Sequence, residues 1–124
     1  MTTNRSPEAP DALLELRNAL RQFAADRDWD QFHSPKNLAT ALTVEAAELL
    51  EHFQWLRDGS AAELPPEKLG QVREELADVL LYLIRLADKL DVDLVAAAHD
   101  KLEVNARKYP AEKARGSSKK YTEY

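Results

Sequence analysis

The chain contains no cysteine. That excludes a disulfide framework, a thiolate metal site and a cysteine nucleophile, and it fits a reducing compartment. An excess of positive charge is missing too: 17 Lys and Arg stand against 22 Asp and Glu, a net charge of −5. This argues against gripping a long nucleic-acid polymer on a basic face. A small anionic ligand stays open if a metal ion bridges it to acidic residues. Long apolar runs are absent as well. The longest, Val79 to Ile84, falls far short of the roughly 20 residues that span a bilayer. Met1 to Pro10 is polar, with no apolar h-region, so a soluble cytoplasmic protein with no membrane partner is expected. No strand pattern is present, and nothing repeats internally except a doubled acidic motif.

At 124 residues the chain is expected to form one domain, with burial completed against other subunits because its helices are short. Leu13, Leu16, Leu20, Phe23 and Ala24 recur at three-to-four spacing, which predicts an amphipathic helix from Ala12 to about Asp28. Ser34-Pro35 opens a second helix, with serine as cap and proline in the first turn, running to about Leu56. Asp58-Gly59-Ser60 and Pro65-Pro66 mark a surface loop. A long helix follows from Glu67 to Leu90, apolar nearly all round in its second half and therefore central. Asp91 to Asp93 turns and caps a fourth helix, Leu94 to Lys108, which Pro110 stops. This gives an all-α bundle of four main helices over residues 11–110. A disordered lead over residues 1–10 and a polar, basic tail over 111–124 flank it.

The chemistry concentrates in Glu45-x-x-Glu48 and Glu75-x-x-Asp78. Residues three apart share a helix face, so each pair can aim its oxygens at one point. With about 100° per residue, Glu45 lies inside the apolar stripe of Leu38, Leu42, Leu49 and Leu56. Glu75, Asp78 and Tyr82 line the edge of the apolar arc formed by Leu69, Val72, Leu76, Val79, Leu80 and Leu83. Glu-x-x-Glu alone is common on solvated faces, but solvent does not account for two pairs set against apolar surfaces, and a buried carboxylate must be paired, hydrogen-bonded or bound to metal. Four acidic oxygen donors suit Mg²⁺, with Mn²⁺ as a substitute. A di-iron centre would need Glu-x-x-His on two helices, and His52 and His99 are preceded at that spacing by Leu49 and Ala96.

Mg²⁺ held by carboxylates commonly engages phosphate oxygens, which points to phosphoryl chemistry. Lys101, Arg107 and Lys108, with Lys113, Arg115, Lys119 and Lys120 beyond, either clamp phosphate charge or form a charged helix end and solvated tail. Trp29 and Trp55 sit at loop junctions, where base stacking and plain packing both account for them.

Six segments together carry a resemblance. These are Arg27-Asp28-Trp29-Asp30-Gln31-Phe32-His33, Pro35-Lys36-Asn37-Leu38, Glu45-Ala46-Ala47-Glu48-Leu49, Phe53-Gln54-Trp55, Glu74-Glu75-Leu76-Ala77-Asp78-Val79-Leu80-Leu81-Tyr82 and Asn105-Ala106-Arg107-Lys108-Tyr109-Pro110. In this order they closely resemble the MazG-like, all-α nucleotide pyrophosphohydrolases, from about Leu16 to Tyr121. The resemblance implies a homotetrameric bundle, a dimer of dimers, that converts a deoxynucleoside triphosphate to the monophosphate and pyrophosphate. The foremost substrate would be dCTP or a modified dCTP, in a nucleotide-pool cleansing role. It also implies Glu45, Glu48, Glu75 and Asp78 as the catalytic Mg²⁺ ligands. Trp29, His33, Trp55 and Tyr82 would line the base and sugar pocket, and Asn37, Lys101, Asn105 and Lys108 would contact sugar or phosphates. One position departs: Leu20 stands where animal members carry a histidine that contacts the nucleotide. The same reaction on dUTP or a broad set of triphosphates is therefore an alternative, and a non-catalytic helical oligomer clipped by metal is a reading of another class.

Overall fold

The structure, a computed structural model, describes residues 9–123. The lead expected over residues 1–10 lies outside them except for Ala9 and Pro10, which already belong to the first helix. The main helices are α1 (Ala9–Asp26), α2 (Pro35–Glu51), α3 (Pro66–Lys89) and α4 (Leu94–Lys108), followed by the short α5 (Ala111–Ala114). Single 3₁₀ turns occupy Asp30–Phe32, Ala61–Glu63 and Tyr121–Glu123, and no strand occurs among the described residues. The chain divides into two compact units, residues 9–91 and 92–123.

In the first unit α3 packs along α2 and also against α1. Ala24, Leu38, Val72, Ile84 and Ala87 form its buried core. Leu38 is 1% exposed and stands one turn into α2, whose start is set by Ser34: the Asn37 amide donates to Ser34 Oγ at 3.1 Å, with Pro35 in the first turn. Such a cap satisfies an amide that the helix itself leaves unpaired. Of the apolar arc expected on α3, Val72 is buried and Val79 half-buried, whereas Leu69, Leu76, Leu80 and Leu83 are exposed. The helix is apolar on more sides than this chain covers.

At its C-terminal end α2 stops at Glu51, short of the Leu56 that periodicity suggests. A series of turns follows, with Gln54 N–H donating to Leu50 O at 3.0 Å and Leu56 N–H to Phe53 O at 2.9 Å. The cause lies downstream. The Glu63 carboxylate accepts from the amides of Arg57 (2.8 Å), Asp58 (3.0 Å) and Gly59 (3.0 Å). Those contacts hold the carboxyl down at about 2, because they favour its charged form. Gly59, at φ 73°, brings its backbone against the Phe53 ring: a Cβ there would stand 2.8 Å from Cδ1. These contacts replace continued helix with a tight loop.

In the second unit Asp93 caps α4 by accepting from the Ala96 amide at 3.0 Å, as the spacing predicts. The segment after Pro110, expected as a polar, basic tail, forms the short α5 and makes aromatic contacts. The Tyr121 ring meets Tyr109 edge-on at 5.9 Å, and the Lys108 ammonium stands 5.0 Å from the Tyr121 ring centroid. Aromatic and cation–π contacts thus order a stretch that lacks apolar periodicity.

The thin core concentrates stability in few residues. Leu38→Ala, which empties the best-buried large side chain, is expected to lower unfolding free energy by about 3 kcal/mol, within the range for buried leucines. Urea denaturation followed by circular dichroism checks this.

Candidate active site

Glu45 and Glu48 sit on consecutive turns of α2, and Glu75 lies on α3 where the two helices pack. One carboxylate oxygen from each converges with the others, all within 4.8 Å, and all three residues are half-buried. Glu45 Oε2 and Glu75 Oε2 are fully shielded from solvent and lack a hydrogen-bond partner. Orphaned buried oxygens are costly, and two carboxylates cannot satisfy each other while both are ionised. They become partners when a proton or a cation lies between them. The proton alternative is visible in Glu45, whose carboxyl rises from its ordinary 4.5 to about 7. Sharing a proton with Glu75 is the main cause, followed by burial and by the hydrogen bond and negative charge of Glu48. Hard oxygen donors, convergent and orphaned, fit a divalent cation such as Mg²⁺.

Asp78, one turn beyond Glu75, is exposed and stands outside the convergent trio. Tyr82 lies a further turn along α3 and is half-buried. The segment after α1 presents Trp29 and His33. Asp28 adopts φ 54°, a left-handed position that Asp tolerates. The Trp29 amide then donates back to Ala24 O at 2.9 Å. The Trp29 ring is set edge-on between Phe23, 5.7 Å away, and His33, 6.5 Å away. Asn37 is engaged structurally, its Nδ2 donating to Phe32 O at 2.9 Å. Trp55 is 87% exposed on the loop after α2. Lys101, Asn105 and Lys108 belong to α4 in the second unit.

Sequence reasoning missed Arg85. It is 6% exposed and donates through Nη2 to Asp30 Oδ1 at 2.6 Å and through Nε to His33 Nδ1 at 3.2 Å. A signal existed: Asp78, Tyr82, Arg85 and Lys89 recur at four-three-four spacing, a polar line running through the most apolar helix.

The chain belongs to the MazG-like family, whose model matches residues 40–124. Among curated proteins it is similar to dCTP pyrophosphatase 1 of Homo sapiens, 48% identical over 118 residues, spanning 93% of this chain and 69% of that protein. The Mus musculus protein of the same name is 44% identical over the same shares. A crystal structure of a pyrophosphatase from Archaeoglobus fulgidus matches with a TM-score of 0.72 at 42% identity, covering 88% of this chain and 99% of that one.

The raised carboxyl of Glu45 sets a pH dependence. The fold holds its proton more tightly than the unfolded chain does, so this group's stabilising contribution is full below about pH 4.5 and is lost as pH climbs to about 7. A cation competes with that proton. Added Mg²⁺ should therefore raise the melting temperature more at about pH 8 than at about pH 5.5. Glu45→Gln, which cannot ionise, should lose most of that difference in a thermal-shift titration.

Proposed function

We propose that the protein is a dCTP pyrophosphohydrolase that depends on Mg²⁺, with Glu45, Glu48, Glu75 and Asp78 as the metal-ligating, catalytic carboxylates. The convergent trio with its two orphaned oxygens carries the reaction class. The choice of dCTP rests on relatives that bear that activity in their names and span 93% of this chain. Water adds at phosphorus, the α–β phosphoanhydride bond breaks, and dCMP and pyrophosphate leave. Bound at the carboxylates, Mg²⁺ supplies charge neutralisation of the phosphates and acidifies a water.

The protein's own groups supply the remainder. Among Glu45, Glu48, Glu75 and Asp78, a carboxylate left partly free by the metal would orient a water or accept its proton. Trp29, His33, Tyr82 and Trp55 receive base and sugar. Trp55 has a free stacking face at 87% exposure. Asn37, Lys101, Asn105 and Lys108 contact sugar or phosphates.

The assembly is a homotetramer built as a dimer of dimers. Leu69, Leu76, Leu80 and Leu83 on α3, with Val44 and Leu50 on α2, are large apolar side chains left exposed on a single chain, and such surface marks a subunit interface. The compartment is the cytoplasm, which the absence of cysteine supports. No helix among the described residues is long and apolar enough to cross a membrane.

Leu20 on α1 favours a second reading, the same reaction on dUTP or a wider set of triphosphates, since one changed pocket contact redirects base choice. Pyrophosphate release from dCTP, 5-methyl-dCTP, dUTP, dTTP, dATP, dGTP and CTP, with Mg²⁺ or with EDTA, decides between them. Turnover should be metal-dependent and fastest on the cytosine deoxynucleotides; a lead by another base overturns the substrate and keeps the mechanism. Glu48→Gln should cut kcat by about 10²-fold or more while the protein stays folded. A loss of thermal stability instead, with no turnover on any triphosphate by the wild type, marks a structural metal clip.

A further inference from the structure

Arg85 is the one buried charged residue among those described, and its guanidinium is held on three sides. Nη2 donates to Asp30 Oδ1 at 2.6 Å and Nε to His33 Nδ1 at 3.2 Å, while Nη1 stands 3.5 Å from Asp88 Oδ2. Each acid is itself fixed. Lys89 also binds Asp30, and Arg21 grips both oxygens of Asp88. The guanidinium therefore cannot turn away from the imidazole without breaking two ion pairs.

Arginine has donors only and keeps its proton throughout the working pH range. A contact from Nε–H leaves Nδ1 one role, that of lone-pair acceptor, and the ring proton must sit on Nε2. No other hydrogen bond to the His33 ring occurs among the described residues, so Nε2–H is the polar atom it can offer a ligand. A second proton is also resisted. Partial burial, with the positive charges of Arg85 and Lys89, outweighs the opposing charge of Asp30 and holds the imidazole below its ordinary pKa.

We propose that Arg85, clamped by Asp30 and Asp88, is a positioning residue that locks His33 in the Nε2–H tautomer, making it a neutral donor to an uncharged oxygen of the bound nucleoside. The distinction is chemical. An imidazolium would attract phosphate, and the Nδ1–H tautomer would present a lone pair that accepts from an amino group. The locked tautomer does neither and selects a carbonyl, hydroxyl or ring oxygen. This rests on the reading of His33 as a nucleoside-pocket residue, beside Trp29.

Nitrogen-15 spectra of histidine-labelled protein at about pH 7.5 read the tautomer without reference to turnover. The wild type should show His33 as the Nε2–H form, and Arg85→Gln should shift it toward a mixture. The same variant should raise KM for dCTP about five- to tenfold with kcat changed less than about threefold, the signature of a lost ground-state contact. A second pair leaves Arg85 in place. His33→Gln puts its amide N–H near the position of Nε2–H and should keep KM within about threefold of wild type, whereas His33→Asn, with its amide near Nδ1, should lose about tenfold. If Arg85→Gln does not fold, this pair decides. An Nδ1–H or imidazolium spectrum in the wild type, or His33→Asn binding as well as His33→Gln, overturns the inference. An Nε2–H spectrum with no dCTP turnover overturns the proposed function alone.

Discussion

Three carboxylates brought together by the packing of α2 on α3 repel one another, and the rest of the first unit is arranged around holding them there. Glu45 and Glu48 come from one helix and Glu75 from the other, so the site exists only while the two helices keep their register. That register is secured by few side chains. Leu38 and Val72 are buried on α2 and α3, and Ile84 and Ala87 lie further along α3. A site that stores like-charge repulsion on so thin a core gains stability from whatever neutralises it. The elevated Glu45 carboxyl is the bare protein's partial answer, since a shared proton relieves part of the same repulsion that a cation relieves more fully.

Helix starts were legible because they are local. Ser34-Pro35 and Asp93 each cap the helix they precede through a side-chain oxygen and an amide three residues on, a relation that can be read within four letters. The end of α2 was not legible. It depends on Glu63 capturing amides four to six residues earlier and on Gly59 accepting the Phe53 ring, and helical periodicity carries no trace of either. The ordered segment after Pro110 escaped for a like reason, since one tyrosine meeting Lys108 and Tyr109 makes no periodic pattern.

The candidate site divides along the same line. Glu45 announced itself as a charge inside an apolar stripe, and the structure gives it a buried, unpartnered oxygen. The spacing put Asp78 beside Glu75 on one helix, but sharing a face does not fix which side chains turn inward, and Asp78 is exposed. Arg85 was the harder case. Its partners Asp30 and His33 lie more than fifty residues away in sequence, so its meaning appears only when α3 is laid against the segment that follows α1.

Cations and anions in the first unit are sorted rather than mixed. Arg21, Arg85 and Lys89 form their ion pairs with Asp30 and Asp88, and no described ion pair reaches Glu45, Glu48 or Glu75. Had any of those cations reached the trio, it would have taken up the carboxylate oxygens that now converge without a partner. Asp30 and Asp88 thus do more than stabilise a network. They keep nearby positive charge occupied. The outcome is two separate environments along α3. One gathers three carboxylates that no described cation pairs with; the other is charge-balanced, with an imidazole beside an aromatic ring. Under the proposed function, the first would take the metal-bound triphosphate of the substrate and the second its neutral nucleoside.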